Sequence, residues 1–336
     1  MVIATSWCAS RAPARIVTLT TNPAVDMACS AASVQPTHKI RTFDERLDAG
    51  GGGINVARVI HALGGDALAL IMTGDVTGRL VEELLSDANV PWRAIPIRGR
   101  TRISVNVHDQ RSGLEYRFVP MGPHVEPNEM DAALDALRTI EADWIVASGS
   151  LPRGVRSDFY AEVAAIARRR DQKFALDTSG AALSAAVGRG LELLKLSQSE
   201  LEFMIGRKAP DAATQEQEVA ALTRAGAARR IAVSLGREGA ILGSSNGVLR
   251  LPAPPVEARS SVGAGDAFLA GLVLGLARRL TDRDALALGV AAGSAAVVTC
   301  GTAQVQKANV DVLYRELCGI SDNIRPDIAA VASNLH

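Results

Sequence analysis

Asp266 stands directly behind Gly263, Ala264 and Gly265 and directly ahead of an apolar run, Ala267 to Gly271. Residues that small let backbone N–H groups converge on one point, and a helix opening at Asp266 adds its positive end. Phosphate is the usual guest of such a nest. A carboxylate beside it repels that guest, unless it takes a proton from whatever attacks the phosphorus. Phosphoryl transfer uses an aspartate in that way. The plainer alternative is a capping aspartate on a core helix after a glycine turn. A second glycine run, Gly50 to Gly53, precedes Asn55. Four glycines in a row let a ligand lie against bare backbone, or else form a hinge, and Asn55 at the opening of a helix can both donate and accept, which suits sugar hydroxyls. Neither run has the spacing of a Walker loop or a dinucleotide fingerprint.

These groups need a scaffold. Short β-rich runs alternate with Ala/Leu-rich helical runs. Residues 15–22 and the stretches "LALIMTG", "WIVASGS", "KFALDTSG", "LELLKLS" and "RIAVSLG" read as strands. "NVARVIHALGG", "GRLVEELLSDANV" and "DFYAEVAAIARRR" read as helices. This alternation predicts an α/β fold, a mostly parallel central sheet with helices on both faces. Ligands of such sheets bind beyond the carboxyl ends of the strands. Asn22, Asp26, Ser148, Ser150, Asp177, Glu200 and Gly236 fall there. Two stretches break the rhythm, residues 30–48 and about 100–120. The second alternates apolar and polar residues around "DQRSG", as a hairpin with one wet face does. Together they predict a small β-sheet projecting as a lid. The expected domain is residues 15–320 with this lid inserted, and 1–14 and 321–336 are peripheral tails.

With 336 residues, 48% of them hydrophobic, the chain has enough material for one large α/β domain or two small ones. Lys+Arg and Asp+Glu balance at 36 each, so an anion site must be a local cluster of cations and no global field favours nucleic acid. Aromatics at 4% argue against stacking platforms for single strands. The four cysteines form no C-x-x-C pair and the five histidines no H-x-x-x-H, which argues against zinc and against a disulfide framework. The N-terminus lacks the pattern of a secretory signal, and no charge-free segment reaches membrane-spanning length. A cytoplasmic protein without a membrane partner is expected.

"GGGGINVARVIHALGG" and "SSVGAGDAFLAG" resemble the two signature regions of the ribokinase-like carbohydrate kinases, the PfkB family. "LTTNPAVD", "TGDVTG", "SGSLPRGV", "LDTSG", "LLKLSQSE", "VSLGREGA" and "GVAAGSAA" follow in the family's order, over nearly the whole chain. The start, the four glycines and "SGSLP" look like the phosphosugar branch, and "HKIR" and "TRISVNV" look closest to its 6-phosphofructokinases. The resemblance implies a three-layer α/β/α fold and ATP-dependent phosphorylation of a ketohexose phosphate, best matched by fructose 6-phosphate. It makes Asp266 the base and Gly263, Ala264 and Gly265 the anion hole. Asp26, Gly51, Gly52 and Asn55 would hold sugar hydroxyls, with Ser150 adding one more group. Lys39, Arg41 and Arg102 would come from the lid to the phosphate already on the sugar, where a local cluster of cations is needed. Lys195, Ser197, Ser234, Gly236, Gly239, Ser260 and Ser294 would serve ATP. Glu200 would serve Mg2+ through water, and the carbonyls of Val262 and Gly301 a potassium ion. Exposed lid edges predict a homodimer that pairs its lids.

The sequence departs from the family in places. Its N-x-x-E element reads Ser197-Gln198-Ser199-Glu200 here, which bears on nucleotide affinity and choice. Arg153 stands where proline is commoner, as a further phosphate contact or as a surface charge. Other readings are a 1-phosphofructokinase, a tagatose-6-phosphate kinase, or a non-catalytic sensor of nucleotide or sugar phosphate.

Overall fold

The structure, a computed structural model, describes residues 14–258, 260, 262–298 and 305–320. It opens with β1 (Arg15–Thr20), β2 (Ala24–Ala31), β3 (Thr42–Gly50), α1 (Gly52–Ala62), β4 (Asp66–Thr73) and α2 (Asp75–Asp87). Then come β5 (Trp92–Pro96), β6 (Arg102–Asp109), β7 (Glu115–Phe118), α3 (Pro127–Thr139), β8 (Trp144–Ser148) and α4 (Phe159–Arg169). β9 (Lys173–Asp177), α5 (Gly180–Ala186), β10 (Leu193–Ser197), α6 (Gln198–Ile205), α7 (Ala212–Arg224) and β11 (Arg230–Ser234) continue the alternation. β12 (Ala240–Ser244), β13 (Gly247–Leu251), α8 (Ala264–Ala277), α9 (Asp282–Val297) and α10 (Lys307–Leu317) close it.

A nine-stranded sheet runs in the order β13-β12-β11-β10-β9-β8-β1-β4-β5, parallel from β5 to β11, with β12 and β13 antiparallel at one edge. Alternate residues of its strands feed two cores. Ile16 and Val146 face α1, α8, α9 and α10, while Val17 and Ile145 face α3, α4, α5 and α7. That is the three-layer arrangement the sequence predicts. α8 and α9 approach closely because glycines line their contact. A Cβ on Gly271 would fall 2.5 Å from the Leu288 carbonyl oxygen. Strand order reverses direction at β1, which has β4 on one side and β8 on the other. In open sheets the crevice above such a switch point is where ligands bind.

The lid is a second sheet of four strands, β3-β2-β6-β7, in which β2 and β6 are parallel and the outer pairs antiparallel. It begins at Ala24, earlier than the sequence suggests, because β2 follows β1 after three residues. α1 likewise starts at Gly52, inside the glycine run, so Asn55 lies one turn into the helix. Among the described residues no helix is long and apolar enough to cross a membrane.

Candidate functional site

Asp266 sits in the first turn of α8, after a left-handed Gly263 (φ 75°) that only glycine adopts without strain. Two elements hold its carboxylate. Asn55 Nδ2 donates to Oδ2 at 2.9 Å and Ser148 Oγ donates to Oδ1 at 3.0 Å. α1 supplies the first donor and the end of β8 the second, so the carboxylate is fixed at the switch point. Burial, with Asp177 adding its charge, raises Asp266 to about 6, against the pull of Asn55, Lys195 and Ser148. The glycine run makes this meeting possible. A Cβ on Gly52 would lie 2.2 Å from Ser148 Oγ, and one on Gly50 would lie 2.2 Å from the Asp26 carboxylate.

Asp26, Asp48, Gly51, Gly52, Asn55, Arg102, Asn106, Arg117, Gly263 and Asp266 line one cavity of about 170 Å³ between the lid and the main sheet. Burial raises Asp26 to about 6, although Arg102 and then Arg117 pull it down. Arg102 donates from Nη1 to the Pro120 carbonyl and from Nη2 to the Asn22 carbonyl, both at 2.8 Å. Among the described residues, Asn55 Oδ1, Asn106 Oδ1 and Arg102 Nε are buried without a partner, as groups that face a polar ligand are.

Beside Asp266, Lys195 Nζ donates to Asp177 Oδ2 at 2.9 Å, and both side chains are nearly buried. Burial works against the Lys195 charge, but Asp177, Asp266 and Glu200 outweigh it and hold the ammonium above its ordinary value. A Cβ on Gly265 would lie 3.0 Å from Lys195 Nζ. Bare backbone at a helix start, next to a fixed cation, is a cradle that phosphate fits and a side chain would fill. Ser197, Ser199, Ser234 and Gly236 line an open cavity of about 400 Å³ beyond β10 and β11. Ser197 caps α6, and Glu200 accepts from its amide at 2.7 Å. The capping box ties Glu200 to the start of α6, whose Ser197 and Ser199 line that cavity. Gly236 and Gly239 both hold left-handed turns, with φ 59° and 97°.

Other expected residues are not among those that line the two cavities. Lys39 and Arg41 are exposed on the loop between β2 and β3 and do not line the cavity. Ser150 contacts Asn22 at 3.4 Å instead, whereas Ser148, two residues earlier, reaches Asp266. Ser260 and Ser294 are buried, and Ser260 Oγ accepts from the Val262 amide. Gly301 lies outside the described residues. Arg117 and Asp48 line the cavity and are not among the residues expected from the sequence. Period-2 alternation along the lid strands carries the signal. Arg117 pairs with Asn106, Asn106 with Ala28, and Asp48 with Asp26, so all point to the same face.

The model of the pfkB family carbohydrate kinases matches residues 20–308. The ATP-dependent 6-phosphofructokinase isozyme 2 of Mycobacterium tuberculosis is 43% identical over 305 residues, 89% of this chain and 89% of that protein. The crystal structure of phosphofructokinase-2 from Escherichia coli in complex with fructose-6-phosphate has a TM-score of 0.86 and 34% identity, over 91% of this chain and 99% of that one. The same protein in complex with potassium has a TM-score of 0.87 at 35% identity, over 91% and 99%.

Proposed function

The chain belongs to the pfkB family of carbohydrate kinases, and from that premise we propose that it transfers the γ-phosphoryl group of ATP to a hydroxyl of fructose 6-phosphate. One observation carries the reading. The Asp266 carboxylate, at the start of α8, opens into the same cavity as Arg102 and Arg117. A base and a pair of cations in one chamber suit an acceptor that brings its own phosphate.

The sugar hydroxyls lie against Gly51 and Gly52, with Asp26 and Asn55 Oδ1 as acceptors. Arg102 and Arg117 hold the sugar phosphate. The acceptor hydroxyl gives its proton to Asp266 as its oxygen bonds to the γ-phosphorus, and the bond from that phosphorus to the β-γ bridging oxygen breaks to release ADP. Amides at Gly263, Ala264 and Gly265 take up the charge that spreads over the phosphoryl oxygens, and Lys195 adds a fixed positive charge. Ser197, Ser234, Gly236 and Gly239 hold the nucleotide. Mg2+ would neutralise phosphate charge, and Glu200, at the start of α6, is the residue that would help hold it through water. The Val262 carbonyl, as the family resemblance implies, would hold a potassium ion, and the phosphofructokinase-2 of E. coli has been crystallised in complex with potassium.

The outer face of the lid supports a homodimer. Leu47, Met27, Val105 and Phe118 form one row across all four strands, and Leu47 and Phe118 are exposed at 41% and 59%. A second lid would cover that row and bring Lys39 and Arg41 of one copy towards the cavity of the other. Sedimentation of Phe118→Glu should show monomer where the wild type shows dimer. A wild-type monomer at high concentration removes the idea.

ADP release measured with fructose 6-phosphate, fructose 1-phosphate, tagatose 6-phosphate and unphosphorylated fructose tests the activity. Fructose 6-phosphate should give the highest kcat/KM. Preference for fructose 1-phosphate would move the chain to the other phosphofructokinases, and no ADP release with any sugar would leave a sensor.

A further inference from the structure

Arg153 does not line the sugar cavity. It lines a separate cleft of about 700 Å³ with Arg98, Arg100, Arg102 and His124. We propose that this cleft binds a small anion carrying two or more phosphoryl groups, and that its occupancy weakens the hold on the phosphosugar through Arg102. The second half rests on the kinase reading above, whereas the first does not.

Charge is the first ground. Among the described residues, Glu126 is the one carboxylate lining the cleft. Asp75 pairs with Arg100 at 2.7 Å, but Arg98 and Arg153 have no ion-pair partner among the described residues. Guanidinium groups bind phosphoryl oxygens in forks, and several at spacing recognise more than one phosphoryl group. Shape is the second. A Cβ on Gly99 would fall 2.4 Å from Pro123 Cβ, and one on Gly154 would fall 2.5 Å from the His124 ring. The Val125 amide donates to the Arg153 carbonyl at 2.9 Å. The segments carrying Arg98, Arg100 and Arg153 are thus pinned against one strap, residues 120–124, and their spacing is built in.

The strap also connects the cleft to the sugar site. Its successive carbonyls accept from three side chains: Pro120 from Arg102 at 2.8 Å, Met121 from Asn22 at 3.1 Å, and Gly122 from Arg153 at 3.2 Å. Arg102 lines both the cleft and the sugar cavity. One guanidinium cannot serve two phosphates in full. A polyanion that draws Arg153 from Gly122 loosens the strap, and by engaging Arg102 it takes that guanidinium alone from the sugar side.

Inorganic tripolyphosphate is the probe, titrated calorimetrically into the full chain without divalent cation. The Arg98→Ala/Arg153→Ala variant should bind at least about tenfold more weakly. Arg98→Lys/Arg153→Lys should retain most of the affinity. Without probe the alanine variant should match wild-type kcat and KM. With probe and constant free Mg2+, the KM for fructose 6-phosphate should rise in the wild type and not in the variant. A rise in the KM for ATP equal in both proteins would mark competition at the nucleotide site instead. Identical titrations of wild type and alanine variant, or no binding to the wild type, overturn the site. Lost binding with an unmoved sugar KM overturns the coupling alone. An inactive enzyme would defeat the kinase reading and leave the titration able to judge the cleft.

Discussion

The two sheets of this molecule are covered differently. Helices pack on both faces of the nine-stranded sheet, and α8 is buried along its length from Ala267. The lid has a polar face over the cavity and an apolar face that is exposed in a single chain. Asp266 enters the cavity from the main body and Asp26, paired with Asp48, from the lid, and burial lifts Asp266 and Asp26 to about 6. Their surroundings still differ. Asp26 is opposed by exposed or half-buried arginines on neighbouring lid strands. Asp266 is gripped by Asn55 and Ser148 and stands near a second buried carboxylate, Asp177. Under the proposed reaction, proton transfer falls to the packed body and sugar recognition to the lid.

The largest test of that division removes the base. Asp266→Asn should lower kcat by about 10³-fold, within the range general-base catalysis supplies, while the KM for sugar changes little. Turnover within tenfold of wild type would take the proton acceptor away from α8. Next in size is Arg102→Ala on the lid. It removes a charge-assisted contact and should raise the KM for fructose 6-phosphate by about tenfold or more, leaving the KM for ATP alone. Equal effects on both substrates would mean that Arg102 supports the fold through Pro120 and Asn22 and does not read the sugar.

The acid limb of the rate profile sharpens the comparison further. Both carboxylates must be ionised for the reaction as proposed, and both sit near 6. As pH falls below about 6, log kcat/KM should fall with a slope above one. Asp26→Asn should reduce that slope to one at some cost in affinity. An unchanged slope would leave Asp26 outside the ionisations that matter.

The main sheet was legible in the sequence because its strands are buried on both faces and its helices follow a 3.6-residue period. Runs such as "WIVASGS" can hardly read otherwise. The lid was harder. The expected first strand ends at residue 22 and the expected lid begins at residue 30, so most of "AVDMACSA" falls between them, and only the pairing with β3 and β6 assigns it to the lid. Asp266 was legible only once its glycines were set beside the second run, Gly50 to Gly53, since a capping aspartate after a glycine turn explains the first stretch alone. Arg117 was not, because an arginine on an edge strand looks solvated until the sheet register places it beside Asn106. Ser148 and Ser150 differ in role by which face of one turn they occupy, and only coordinates decide that. Lys39 and Arg41 lie exposed on the loop between β2 and β3, away from the cavity, and only the proposed lid dimer would give them a place at a site.

The smallest expected effect concerns stability, and it separates the two carboxylates most finely. A carboxyl whose value rises on folding binds its proton more tightly in the folded state. The stability it allows is complete below the ordinary carboxylate range and is lost as pH rises through about 6. An ionised Asp266 therefore burdens the fold at pH 8, and an asparagine relieves that burden. Asn55 Oδ1, buried without a partner among the described residues, can turn to accept from the new amide. Asp266→Asn should raise Tm at pH 8 by about 2–4 °C, with the gain shrinking towards pH 4. Asp26→Asn should gain less, because it also forfeits the attraction of Arg102 and Arg117. A thermal melt in which Asp266→Asn is less stable than wild type at pH 8, or in which Asp26→Asn gains more, would reverse the ranking of the two sites. The base would then owe its raised value to something other than burial beside Asp177.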